Sequence, residues 1–269
     1  MTIYILLLLA GIIGGVLAGI TGVGTGFIMV VVIPVALNHL GIPDDLIVKL
    51  TIANTIFATM CSSFVNNVQL IIQRNLFWRE TFTISMAAGA TASILLQLVV
   101  YNSGYTKEYY NAIIIVLMAY IIIRTLSKLR KSLDYHESIT LPKLIITGIS
   151  GGGIAALTGL GGGSVVIPML NLWMQVDIKK AKKITYGTIF ITALFLTFLN
   201  IVNEPTIEMG YAHLGYLLLP VALPLSLGVI VGSPIGLKLG DRLPAKVVSY
   251  IFITIICVVM VRKIIELLI

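Results

Sequence analysis

Eight stretches of this sequence, near residues 3–20, 50–73, 81–101, 108–130, 141–158, 183–203, 211–237 and 245–268, are apolar almost from end to end. Each is close to the roughly 20 residues a helix needs to cross the hydrocarbon core of a bilayer. The charged residues are too few to keep such a chain in water. Only 11% of the 269 residues are charged, against 58% hydrophobic, where a soluble domain carries about 25% charged. A soluble enzyme, a disulfide-rich scaffold and a disordered chain are thereby excluded. The strands of a membrane barrel would read as shorter, alternating segments. The expected fold is therefore all-α, a polytopic transmembrane helical bundle. Residues 2–20 lack a charged leader and a small-residue cleavage site, and are read as a retained span. Cys61 and Cys257 fall inside apolar runs and read as small buried hydrophobes.

Two further apolar pieces, 27–38 and 164–175, are only about 12 residues long, and at about 1.5 Å per residue reach little more than halfway across the core. Each directly follows a glycine cluster, Gly22-Val23-Gly24-Thr25-Gly26 or Gly159-Leu160-Gly161-Gly162-Gly163. Each glycine costs up to about 1 kcal/mol in a helix interior. The pattern predicts a helix, a bend inside the membrane, and a half-helix returning to the side of entry.

The basic residues that give the net charge of +7 are gathered in short segments between the apolar stretches. That placement reads as cytoplasmic loops, not as a nucleic-acid surface. Arg124, Lys128, Arg130, Lys131 and Lys143 mark one segment, and Lys179, Lys180, Lys182 and Lys183 a second. Lys238, Arg242 and Lys246 mark a third, and Arg74 with Arg79 a weaker fourth. The loop at 39–49, with Asp44 and Asp45 against Lys49, and the loop at 203–213, with Glu204 and Glu208, belong outside. Both ends of 143–179 are basic, so that segment must enter and return on the cytoplasmic side. If 1–39 folds likewise, both termini face outward, in a multi-pass protein of the plasma membrane. Arg262 and Lys263, near an end that this scheme turns outward, run against it.

The two halves repeat. Gly11, Gly14, Gly15, Thr21, Gly22, Gly24 and Gly26 match Gly148, Gly151, Gly152, Thr158, Gly159, Gly161 and Gly163 at one constant offset. Thr55-Ile56-Phe57 recurs as Thr188-Ile189-Phe190, with Thr59 meeting Thr192 and Asn67 meeting Asn200 in the same register. The chain thus divides into a first repeat, 1–135, and a second, 136–269, each with about four spans and a half-helix. The charge pattern starts the two on opposite sides, which makes the repeat an inverted one. Many secondary transporters are built this way, and their paired helix breaks point to the substrate site.

Helix ends inside the bilayer leave N–H and C=O groups that lipid cannot satisfy, so they must be buried in protein or line a cavity. A half-helix N-terminus also carries roughly half a positive charge. Two of them meeting near the midplane would make a donor-lined cavity suited to a small anion. Thr21, Thr25, Thr158 and Ser164 would add hydroxyl donors, while Gly22, Gly24, Gly26, Gly159, Gly161, Gly162 and Gly163 would let backbone approach the ligand. Asn54, Thr55 and Thr188 open the next spans and stand evenly between ligand contact and interhelical hydrogen bonding. The glycines that precede the breaks read as helix-packing positions, and Asn67, Gln69 and Asn200 as polar glue. His39 and His213 lie near span ends. No Asp or Glu lies in the middle of a span, which weighs against a carboxylate-based cation pump. No Walker A or His-Glu-x-x-His pattern is present, and no Gly-x-Ser-x-Gly pattern supports an intramembrane hydrolase, so no enzyme chemistry, metal or cofactor is expected. Pro220, Pro224 and Pro234 suggest a kink or hinge in one span.

The glycine motifs, each closing on an apolar run and a proline (15–34, and 152–168 with Tyr186-Gly187-Thr188 beyond it), resemble the sulfite exporter TauE/SafE family of membrane permeases. The first copy departs from the second in having Thr25 at the place of Gly162, and three extra residues before its proline. The resemblance implies a permease that carries sulfite, a sulfonate or a related small organosulfur anion, often outward. It places the binding positions at 21–26 and 158–164, with Asn54, Thr55 and Thr188. The rival readings are a transporter of another small anion, such as a carboxylate, and an anion channel. The partners implied are a small anion and the lipid bilayer, not nucleic acid, and self-association into a homo-oligomer stays open.

Overall fold

The computed structural model describes residues 2–72, 76–102, 104–129, 137–205, 207 and 209–268. Of the charges placed above, Arg74, Arg130, Lys131 and Glu208 lie outside these residues, as do the side chains of Lys128 and Lys246. In chain order the elements are α1 (Thr2–Thr21), α2 (Gly26–His39), α3 (Asp44–Ile72), α4 (Trp78–Leu95), α5 (Lys107–Leu129), α6 (Leu141–Thr158), α7 (Gly163–Pro168) and α8 (Ile178–Val202). A short hairpin of β1 (His213–Leu214) and β2 (Leu217–Leu218) follows, then α9 (Leu219–Arg242) and α10 (Ala245–Leu268). π-helical turns extend α4 over Leu96–Val100 and α7 over Met169–Trp173. Eight of these helices are long and apolar enough to cross a membrane, and the helices over Gly26–His39 and Gly163–Trp173 are the two short ones. Large apolar side chains such as Phe82, Leu98, Val116, Phe198 and Val258 stand exposed around them, as lipid permits and water does not. The chain is a multi-pass membrane protein with an all-α bundle fold.

Several boundaries differ from hydropathy, for local reasons. Helix α8 begins before its apolar stretch, because Asp177 caps it and accepts from the Lys179 and Lys180 amides at 2.9 and 3.4 Å. Asp44 and Asp45 likewise occupy the first turn of α3, where the helix dipole favours them. The stretch 211–237 is not one span. Its first residues turn back as the hairpin, with Gly215 in the left-handed region at φ +56, and the helix starts only at Leu219. A turn written in apolar residues carries no hydropathy signal.

Glycines bring the helices close. Gly11, Gly15 and Gly19 of α1 run along Gly228, Gly232 and Gly236 of α9, so that a methyl group on Gly15 would sit 2.6 Å from the Val229 carbonyl oxygen. Gly148 and Gly152 of α6 meet α4 in the same manner, a methyl on Gly152 falling 2.7 Å from Ala88 Cα. Gly14 instead faces Met29 of α2, and Gly151 faces Val166 of α7. The packing has a matching pattern: α1 lies on α9 as α6 lies on α4, α3 on α9 as α8 on α4, and α3 meets α8 as α5 meets α10.

Lys263 and Arg262, the charges at odds with the outward end, are both bound to Glu266, at 2.6 and 3.3 Å. Lys263 is buried, with its ammonium 5.5 Å from the centre of the Tyr110 ring. Glu266 balances one of these two charges at the helix end. Cys61 and Cys257 are half-buried, free thiols.

Candidate functional site

The two breaks are made by the same local device. Thr21 Oγ1 donates to the Leu17 carbonyl at 2.8 Å and accepts from the Val23 amide at 3.3 Å. Thr158 Oγ1 donates to the Ile154 carbonyl at 2.6 Å and accepts from the Leu160 amide at 3.2 Å. Each threonine ends its helix and turns the chain, so its proton goes to a helix carbonyl and not toward a ligand. The turns need left-handed backbone, with Gly24 at φ +104 and Gly161 at φ +81, which side chains adopt only under strain.

The carbonyls at the ends of the broken helices are satisfied by side chains from elsewhere in the chain. Tyr186 donates to the Gly19 carbonyl and Lys182 to the Ile20 carbonyl, both at 2.6 Å. For α6, Tyr105 donates to the Leu157 carbonyl at 2.6 Å and Tyr110 to the Thr158 carbonyl at 3.4 Å. Burial pushes the Tyr105 phenol up, which keeps it a donor. Lys182 also sets a cation at the negative end of the α1 dipole.

The breaks lie against each other. A methyl on Gly163 would fall 2.8 Å from the Val23 carbonyl oxygen and 3.1 Å from that of Gly22, and one on Gly26 would strike Leu160 Cα at 2.5 Å. Thr59 of α3 touches both breaks. Its Cγ2 is 3.2 Å from the methyl position of Gly24 and 2.8 Å from that of Gly161, and its hydroxyl is 2.8 Å from that of Thr25. Thr25 and Gly162, which precede the two half-helices, make no side-chain cap bond to the first-turn amides. Nearby polar atoms also lack partners among the described residues: Thr55 Oγ1, Ser164 Oγ and Asn54 Oδ1 are buried without a hydrogen bond.

Not every expected residue reaches this point. The Asn54 amide is turned to the hairpin and donates to the Leu50 and Tyr216 carbonyls at 2.7 and 3.4 Å. Thr188 donates to Ile184 within α8 at 3.0 Å, and its neighbour Ile189 is the residue that packs on Gly161 and Gly163. Asn67 donates to the Ser63 and Tyr186 carbonyls at 2.7 and 2.9 Å, tying α3 to α8.

A cavity of about 290 Å³ runs from Thr21, Val23 and Ser164 to Arg124, Lys179 and Lys182. Most of its remaining wall is apolar, with Ile167, Leu172 and Phe252 among the lining residues. On the opposite side the hairpin presses inward. The Tyr216 ring stacks on Tyr101 at 4.9 Å, Tyr101 donates to Asn200 Oδ1 at 3.0 Å, and Lys49 donates to the Tyr101 carbonyl at 3.3 Å.

Residues 7–263 match the family described as Sulfite exporter TauE/SafE. The chain belongs to that family. A probable membrane transporter protein of Methanocaldococcus jannaschii is 26% identical over 246 residues, covering 90% of this chain and 88% of the relative. A probable membrane transporter protein of Haemophilus influenzae is 24% identical over 268 residues, covering 97% and 98%. Membership of the TauE/SafE family makes the chain a membrane transporter.

For a TauE/SafE transporter the residues that sequence reasoning missed are those reaching the breaks from distant parts of the chain: Thr59, Lys182, Tyr186, Ile189, Tyr105 and Tyr110. Thr59 and Ile189 stood in the repeat register and could have been found there. Tyr105 and Tyr110 carry no local signal, whereas Tyr186 stood in the Tyr186-Gly187-Thr188 motif. Among the described residues no cluster of His, Cys, Asp and Glu is arranged to hold a metal. His213 lies in the hairpin, its Nδ1 3.1 Å from the Gly215 carbonyl oxygen.

Proposed function

We propose that the protein is a secondary transporter for a small sulfur oxyanion, sulfite or a sulfonate, working by alternating access between two inverted halves in the plasma membrane. The observation that carries this reading is the contact between the two glycine breaks at the inner end of a cavity with a basic mouth. An anion beside Thr21 and Ser164 would reach half-helix N-termini that no side chain caps, with the Ser164 and Thr55 hydroxyls as further donors. Of the expected site residues Thr21 and Ser164 line the cavity, and Gly22, Gly24, Thr25, Gly26, Gly159, Gly161, Gly162 and Gly163 would supply the backbone of the breaks behind them. Among the described residues no carboxylate lines this cavity, which favours an anion over a cation. The inverted arrangement and the outward termini draw support from the matching helix pairs and from the loop charges. Closure by Tyr101 and Tyr216 opposite an open basic mouth suits a carrier with one side open at a time, not a continuous pore.

The test is counterflow of labelled sulfite in proteoliposomes, with unlabelled sulfite, sulfoacetate and acetate as competitors. Saturable exchange blocked by sulfite or sulfoacetate, and not by acetate, is expected. Flux of acetate alone, or conductive current without saturation, would overturn the reading.

A further inference from the structure

The carbonyls that end α1 and α6 are covered by side chains, but those of the turns just beyond them are not. The Gly22, Val23 and Leu160 carbonyls accept no hydrogen bond among the described residues, and all three residues are buried. A buried carbonyl inside a membrane protein needs a donor or a cation, because lipid offers neither. The same oxygens point into the contact between the breaks. Those of Val23 and Gly22 stand 2.8 and 3.1 Å from where a methyl on Gly163 would be. That of Leu160 stands 3.4 Å from the methyl position of Gly24, and the Thr59 hydroxyl 3.9 Å from the same point. Thr59 is joined in turn to the Thr25 hydroxyl at 2.8 Å. One helical turn before Thr59, Thr55 Oγ1 is buried without a partner among the described residues. Its Cβ lies 3.4 Å from the methyl position of Gly159 in the second break.

We infer that these carbonyls and threonine hydroxyls form a binding site for a sodium ion that travels with the oxyanion. The joint transport rests on the proposed carriage of an oxyanion, whereas the binding of the cation does not. In secondary transporters unwound carbonyls at broken helices coordinate the coupling cation, while half-helix N-termini hold the anion. No Asp or Glu lies in the middle of a span. Neutral oxygens alone suit a monovalent cation, since calcium and magnesium sites draw on carboxylates. The room is small. Thr59 Cγ2 stands 3.2 and 2.8 Å from the methyl positions of Gly24 and Gly161, which favours sodium over the larger potassium. Val23 is among the residues lining the cavity with Thr21 and Ser164, whereas Thr25, Thr59 and Leu160 are not. The cation would therefore stand on the inner side of the anion, away from the basic mouth. A charge buried at that depth is costly unless it is paired, and each ion lowers the cost of the other. A threonine hydroxyl can give its lone pairs to the cation and its proton to the anion.

Binding of labelled sodium to the purified transporter in gluconate salts, without sulfite, tests the site. Saturable binding is expected, displaced by unlabelled sodium and not by potassium or choline. Thr59→Val removes the hydroxyl and keeps the shape, and should raise the half-saturating sodium concentration by about tenfold. Thr59→Ser, which keeps the hydroxyl, should recover most of that loss. Should Thr59→Val not fold, Thr25→Val carries the same comparison. By reciprocity, sulfite should tighten sodium binding by the factor by which sodium tightens sulfite binding, about fivefold or more. No saturable sodium binding, or binding untouched by both valine variants, overturns the inference whatever the sulfite flux. Sodium binding indifferent to sulfite, in a wild type that carries sulfite, overturns the joint transport. Sodium binding in a wild type that carries no sulfite overturns the proposed function and leaves the cation site standing.

Discussion

The hydroxyls of Thr25 and Thr59 lie 2.8 Å apart, joining the first glycine break to α3, and the methyl of the same Thr59 is what a side chain at Gly161 in the second break would strike. One residue of a neighbouring helix thus sets the spacing of both breaks. Thr59→Val keeps its shape and strands the buried Thr25 hydroxyl, a cost of about 1–3 kcal/mol. The expected outcome is a folded protein with a lower melting temperature and slower sulfite flux. Thermal unfolding in detergent, read beside vesicle flux, checks both.

Gly161 and Gly104 make a matched pair of tests. Gly161 holds φ +81, with Thr59 Cγ2 at 2.8 Å from its methyl position, whereas none of the described residues lies within 4 Å of that position in Gly104. Left-handed backbone costs an alanine roughly 1–2 kcal/mol before any clash. Gly161→Ala should weaken sulfite binding by at least about tenfold, while Gly104→Ala leaves binding and melting temperature unchanged. Isothermal titration with sulfite reads both variants.

The closed face depends on Tyr101. Burial and the neighbouring Tyr216 push its phenol well above the usual range, so the phenol is protonated, and a donor to Asn200, at any pH below that raised value. The closure should therefore not titrate between about pH 6 and 9. Tyr101→Phe keeps the stacked ring and removes a bond worth about 0.5–1.5 kcal/mol, a shift of roughly 2- to 12-fold toward the open face. Labelling of Asn54→Cys by a membrane-impermeant thiol reagent, in a background lacking Cys61 and Cys257, should speed up accordingly.

The seam between α1 and α9 should be intolerant of bulk. A methyl on Gly15 meets the Val229 carbonyl oxygen at 2.6 Å and the Ser233 amide nitrogen at 2.9 Å, backbone atoms that cannot turn aside. Overpacking of this kind costs about 1–3 kcal/mol or more. Gly15→Leu should lose the monodisperse peak in size-exclusion chromatography, and Gly41→Ala, with open space at its methyl position, should match the wild type apart from the strain of its φ of +72.

The spans and the breaks were legible in the sequence because both are properties of short windows. A membrane-length apolar run, and a glycine cluster before a run too short to cross, need no knowledge of the rest of the fold. The hairpin at 213–218 was not legible, because its turn is set among apolar residues that continue the hydropathy of α9. Gly228, Gly232 and Gly236 repeat every fourth residue, and that spacing could have announced the α1–α9 seam. The contacts that Lys182 and Tyr186 make with the first break were not legible for a different reason. Both side chains act on carbonyls about 160 residues away in the chain, which only the packing of α8 on the end of α1 brings within reach. Thr21 and Thr158 show the converse, since their types pointed to ligand donors while their geometry commits them to ending helices.

The central claim is that an oxyanion is held where the two breaks meet, by uncapped half-helix amides and buried hydroxyls. An electron-microscopy map of the protein in lipid nanodiscs at saturating sulfite tests it most directly. The account expects density for the anion within hydrogen-bond reach of the first-turn amides at Gly26 or Gly163 and of the Ser164 or Thr55 hydroxyl. Density at another place in the bundle, with the breaks still in contact and no ligand beside them, would contradict it.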